Sequence, residues 1–185
     1  MTSEARLPQL CMRRPDLRIL PALTMPAGYS LRSGRPGDEQ NWCRIIGEAF
    51  DCEKSMEDWQ THMLRKEGFA WKRIFFVSGP DDFPVATASG FRHVGHRHGY
   101  LHYVGVTLGH RGRGLGRAVS LAAIRLCAQE GCVDCTLHTD DHRIPAIRIY
   151  LGLGFAPHVT HPSHEDIWHR IRRVLEGHAG GGRSC

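Results

Sequence analysis

Apolar positions along the chain alternate between helical and extended periods, and the order they predict is mixed α and β. Tyr29-Ser30-Leu31-Arg32 reads as a short first strand, and Gly37-Asp38 opens a helix whose Trp42, Ile45, Ile46, Ala49 and Phe50 keep helical spacing. A weaker helix follows from about Ser55 to Arg65, with Ser55 as its cap and Glu57-Asp58 in its first turn. Residues 73–77 and 84–89 read as a hairpin around Ser78-Gly79-Pro80-Asp81-Asp82. A strand at 100–106 runs into a Gly-rich loop, then a helix from about Arg113 to Glu130 that stops at Gly131. Residues 133–139 form another strand, and Asp140 to Leu153 a helix that Asp140 and Asp141 cap. Phe155 begins a last extended piece, and Glu165 to Leu175 is a helix with Ile167, Trp168, Ile171 and Leu175 on one face.

Residues 1–27, rich in Pro, Arg and Leu without a period, are expected to be a loosely ordered arm. Residues 28–176 form one domain, and 177–185, with their run of glycines, a flexible tail. At 185 residues and 41% hydrophobic residues the chain is long enough to bury a core without disulfide staples. No apolar run reaches the ~20 residues of a membrane-spanning helix, and the N-terminus lacks a signal-peptide pattern. Seven scattered cysteines do not make a secreted disulfide framework, so a cytoplasmic location is expected.

The charge of +5 favours anionic ligands without demanding nucleic acid. Its focus is the loop Thr107-Leu-Gly-His-Arg-Gly-Arg-Gly-Leu-Gly-Arg117 between strand and helix. Glycines at 112, 114 and 116 let backbone amides approach a ligand, and the helix start adds the positive end of its dipole. Arg111, Arg113 and Arg117 add charge, which makes a receptor the size of a pyrophosphate. The loop lacks the Gly-Lys-Ser/Thr of a P-loop and the Gly-x-Gly-x-x-Gly of a dinucleotide fold. Arg111-x-x-Gly114-x-Gly116 remains.

This run resembles the acetyl-CoA-binding motif of the GNAT superfamily of N-acetyltransferases. Ala146-Ile-Arg-Ile-Tyr150-Leu-Gly-Leu-Gly154-Phe155 is similar to a second motif of that family, in the right order. Thr139 to Ala146 looks most like mycothiol synthase-type bacterial members. The resemblance implies an α/β fold with a splayed mixed central sheet, flanked by helices and closed by a C-terminal helix, with 28–176 as the acetyltransferase domain. It implies acetyl-CoA as cosubstrate, bound by the backbone of Val104, Gly105 and Val106 and by Arg111, Gly112, Arg113, Gly114, Leu115, Gly116 and Arg117. Tyr150 occupies the family's general-acid position, where a phenol protonates the departing CoA thiolate. Arg143 stands where the family commonly has Asn and is expected to contact CoA phosphate or carbonyl groups. The implied reaction is acetyl transfer to a primary amine, small molecule or peptide, by direct attack in a ternary complex.

His102, on the strand beside the implied acetyl site, is the candidate base, with a rate limb near pKa ~6.5 to 7. No metal is expected: His93, His96, His98 and His102 read as a solvated hairpin, and Cys132-x-x-Cys135 as buried thiols. The expected partner is the amine acceptor, with no nucleic acid and no membrane, and a homodimer is allowed. The competing reading is a catalytically silent CoA-binding sensor or scaffold.

Overall fold

Seven strands and five helices follow one another in the computed structural model, which describes residues 8–92 and 95–177. The strands are β1 (Leu10–Arg14), β2 (Ser30–Ser33), β3 (Ile74–Ser78), β4 (Pro84–Arg92), β5 (His98–Val106), β6 (Asp134–Thr139) and β7 (Ala156–His158). The helices are α1 (Glu39–Phe50), α2 (Met56–Trp59), α3 (Leu115–Gln129), α4 (Ile144–Gly152) and α5 (Ser163–Gly177). The short α2 starts on a capping box between Ser55 and Asp58 and runs into a wider turn over Gln60–Leu64. No described helix is long and apolar enough to cross a membrane.

The sheet order is β2-β3-β4-β5-β6-β1-β7, antiparallel throughout except between β5 and β6. One face carries α1, α2 and the turn after it, which bury Trp42, Ile45, Ile46, Trp59 and Met63 against Ile74, Phe76 and Phe91. The other carries α3, α4 and α5, with Leu121, Ile124, Ile147 and Trp168 packed on Leu10, Met12, Leu101 and Leu137. The mixed, helix-flanked sheet expected from the sequence is the observed fold.

Two expectations need correction. The segment read as part of a loose arm supplies β1, which pairs Leu10–Arg14 with Cys135–Thr139 on one side and Ala156–His158 on the other. Its anchors are long-range: Leu10 and Met12 are buried, and Arg13 holds the Asp134 carboxylate with Nε at 2.9 Å and Nη2 at 2.5 Å. The helix expected from Asp140 begins at Ile144, with Arg143 at its cap position and no side-chain cap; Asp140 instead accepts from Gln9 Nε2 at 2.9 Å. His93 and the tail from 178 lie outside the described residues.

Because β1 is central to the C-terminal half of the sheet, Met12→Ala should cost about 2–5 kcal/mol of stability. Urea unfolding measures this, and a change below ~0.5 kcal/mol would mean that β1 is not docked in solution.

Candidate active site

β5 and β6 are parallel but pair only over His98–Tyr100 with Asp134–Thr136. Beyond those three pairs they part, and β5 from Leu101 onward has no strand on its β6 side. A cluster of side chains holds the closed end. Asp134 Oδ1 lies 2.6 Å from His98 Nδ1, and His98 Nε2 lies 2.9 Å from the Thr136 hydroxyl. The second Asp134 oxygen takes Arg13. These bonds keep the Asp134 carboxyl below its ordinary pKa although burial pushes the other way.

Within the parted region β5 bulges. Thr87 faces Gly105 while Ser89 faces His102, so β5 takes three steps where β4 takes two, and Tyr103 sits at φ 45° to absorb the difference. Gly105 packs under α1: a Cβ there would come within 2.8 Å of Ile46 Cδ1. Val104 and Val106 are half-buried beside it.

The Gly-rich loop follows directly. Gly112 and Gly114 have φ of 75° and 79°, and nothing lies within 4 Å of where their Cβ atoms would be. Gly114 is the cap position of α3, which has no side-chain cap. The first amides of the helix, at Leu115, Gly116 and Arg117, are thus presented to an open space at the positive end of a 15-residue helix. Arg113 and Arg117 have no ion-pair or hydrogen-bond partner among the described residues, whereas Arg111 reaches back to the carbonyls of Val106 and Glu48. The donor set suits a diphosphate.

On α4, Tyr150 is 6% exposed, packs edge-on against Phe155, and is pushed up to about 12 by burial, so its phenol keeps its proton at neutral pH. Arg143 and Tyr100 lie within electrostatic reach of it. Arg143 Nη2 donates to the Ala49 carbonyl at 3.2 Å and its guanidinium stacks 3.5 Å from the Phe50 ring centroid, which ties it to the end of α1.

His102 lies on β5. Its ring sits among Tyr100, Tyr103 and Phe91, with Nε2 3.3 Å from the His62 carbonyl and the Lys66 ammonium nearby. Desolvation, reinforced by Lys66, drives its pKa down to about 3, so no titration near neutrality comes from it. The residue that sequence reasoning passed over is His138, on β6, whose Nδ1 meets the Tyr100 hydroxyl at 3.2 Å across the parting strands. A lone exposed histidine in a strand gives no local signal. Cys132 and Cys135 are buried free thiols, and among the described residues no group of three metal-ligating side chains forms a site. A concavity of about 440 Å³ lies along α1, lined by Gln40, Arg44, Glu48 and Lys54 among others, and meets the loop through Glu48.

Comparison with known proteins identifies the pattern. The model of the acetyltransferase (GNAT) family matches residues 40–155. A mycothiol acetyltransferase of Thermobispora bispora is 28% identical over 78% of the chain and 52% of that protein. One of Thermomonospora curvata is 31% identical over 79% of the chain and 50% of that protein. The chain thus spans about half the length of these curated relatives. Among solved structures, a GCN5-related N-acetyltransferase from Sphaerobacter thermophilus superposes with a TM-score of 0.66 at 24% identity, over 82% of the chain and 50% of that one. The ribosomal-protein-S18-alanine N-acetyltransferase of Escherichia coli gives 0.60 at 19% identity, over 71% of the chain and 79% of its own. These structural likenesses share the fold.

The state of His102 has a measurable consequence. Its unfolded pKa is near 6.5 and its folded value about 3, so between those limits the unfolded chain binds a proton that the folded chain refuses. Stability contributed by the neutral ring is complete above pH ~6.5 and is lost as pH falls toward 3, by at most about 1.4 kcal/mol per pH unit. The His102 ring protons should show no NMR titration between pH 8 and 5, and a midpoint near 6.5 would refute its burial.

Proposed function

The chain belongs to the acetyltransferase (GNAT) family, and on that premise we propose that it transfers the acetyl group of acetyl-CoA to a primary amine, with both substrates bound together. The observation that carries this reading is the uncapped start of α3 opening beside the unpaired edge of β5. Acetyl-CoA supplies the thioester carbon that the amine attacks. The amides from Gly112 to Arg117, with Arg111, Arg113 and Arg117, hold the diphosphate, where fixed donors need no reorganisation. The backbone of Val104, Gly105 and Val106 takes the amide groups of the pantetheine arm in place of a missing strand partner. Arg143 serves the site indirectly, by joining the start of α4 to the end of α1.

Tyr150 is the general acid in this reading. Collapse of the tetrahedral intermediate breaks the carbon–sulfur bond, and the phenol supplies the proton as charge gathers on sulfur. Its raised pKa keeps it protonated until that moment. The names of the relatives put mycothiol-related amines first among the acceptors to test. The deciding experiment is release of free thiol from acetyl-CoA in the presence of those amines, polyamines, amino acids and peptides. Tight acetyl-CoA binding without turnover on any of them would favour a silent CoA-binding module.

Two substitutions probe the assignments. Gly114→Asp brings a carboxylate to the diphosphate site at a positive φ, and acetyl-CoA affinity measured by calorimetry should fall at least about tenfold. Unchanged affinity would remove the loop from the binding site. Tyr150→Phe keeps the ring packing and should leave affinity intact while kcat drops by about 10² or more. A variant turning over at the original rate would reduce Tyr150 to a packing residue.

A further inference from the structure

Attack on the thioester needs an amine without its extra proton, and the His102 ring, enclosed by Phe91, Tyr100 and Tyr103 with Nε2 turned to the His62 carbonyl, is poorly placed to take it. The wall of the opening offers another imidazole. On β6, Cys135 and Leu137 are buried in the core beneath α3, and the alternation of a strand sends Asp134, Thr136 and His138 to the opposite face. Asp134 and Thr136 are spent in the closed-end cluster. His138, the next residue on that face, stands just beyond the last β5–β6 pair, where the strands separate. It is exposed.

Only one of its nitrogens is engaged. Nδ1 meets the Tyr100 hydroxyl at 3.2 Å, and Nε2 has no hydrogen-bond partner among the described residues. The two rings lie 5.7 Å apart, Tyr100 on β5 and His138 on β6, so the contact spans the mouth of the opening. When Nδ1 carries the proton and donates it to the phenol oxygen, Nε2 is left with a lone pair facing solvent. The titratable groups around it are Tyr100 and His102 on β5, Cys11 across the ladder on β1, His164 at the head of α5, and Asp140 two residues further along its own chain, held by Gln9.

We propose that Nε2 of His138 accepts the proton of the acceptor's ammonium, and that the Tyr100 hydroxyl is the positioning group that holds His138 in the tautomer able to do so. The inference rests on the acetyl-transfer reading above. In the step, the ammonium N–H bond breaks and its proton joins the Nε2 lone pair, giving an imidazolium. The freed amine lone pair forms the bond to the acetyl carbon, the carbon–sulfur bond breaks as Tyr150 protonates the thiolate, and the second proton lost by the nitrogen passes through solvent to restore the Tyr150 phenol. The imidazolium then returns its proton to water. Partial desolvation where the ring lies against the strands, with His164 added, shifts the His138 pKa downward, the direction that favours the neutral ring the step requires.

Two measurements on the full chain test this. Long-range nitrogen–proton NMR on histidine-labelled protein, with the signal assigned through His138→Gln, should find His138 protonated at Nδ1, and Tyr100→Phe should turn that state into a mixture of tautomers. Thiol release from acetyl-CoA is then compared for ethanolamine, an ammonium in mildly alkaline buffer, and hydroxylamine, which is already neutral there. His138→Gln should lower kcat/KM for ethanolamine by about 10² or more and for hydroxylamine far less, because only the former needs a base. Equal losses with both amines, or an Nε2-protonated ring in the unaltered chain, would overturn the role of His138 and leave the transferase reading standing. Turnover of neither amine by the unaltered chain, together with no acetyl-CoA binding, would overturn both.

Discussion

Two parallel strands that pair for three residues and then diverge leave backbone donors and acceptors without partners, and the rest of the site follows from that imperfection. Unpaired backbone is costly when buried, and here side chains mark where the pairing stops. Asp134 is central to this. One carboxylate joins β6 to β1 through Arg13 and to β5 through His98, and Thr136 completes the link. A charge with so little exposure would be expensive alone, and here it meets a guanidinium and an imidazole. The closed end lets the other end gape at a defined place, next to the glycine loop.

Chemistry is thus distributed by distance from the closed end. Nearest to it stand Tyr100 and His138, facing each other across the gap. Further along β5 come His102 and the bulge at Tyr103, which turn aromatic rings toward α1 and α2 and make that wall dry. At the far end the loop presents the uncapped amides of α3 together with arginines. The gradient from neutral rings to positive charge suits a cosubstrate with a reactive tip and a charged tail.

The parts of this arrangement legible in the sequence are the local ones. Glycine spacing and a strand-to-helix junction are written in a dozen consecutive residues, and so is the period of α1, α3 and α5. The parting of β5 and β6 was implied by the family resemblance and not by the apolar pattern, which gives no pairing information. β1 escaped because five residues flanked by prolines carry no period, and their partners lie more than a hundred positions away. Asp140 looked like a cap, but its helix starts four residues later and Gln9 takes the carboxylate. His102 was placed on the right strand; what it touches depends on α2 and on a bulge that no local pattern announces. The same holds for His138, whose meaning comes from a tyrosine 38 residues earlier.

The position of β1 has a consequence in time. Leu10 is opposite Thr139, 129 positions later (139 − 10), and β1 also needs Ala156–His158 to complete its other side. On a ribosome adding roughly 5–20 residues per second, β1 must wait on the order of ten seconds for the strands it pairs with. During that interval Leu10, Cys11 and Met12 have no native partner, and closing so long a loop is slow in its own right. The N-terminal half of the sheet, whose strands follow one another as hairpins, can form meanwhile. Synthesis therefore favours an order in which β2 to β5 assemble first and the gap between β5 and β6 is completed last, when the earlier-made β1 slides between β6 and β7.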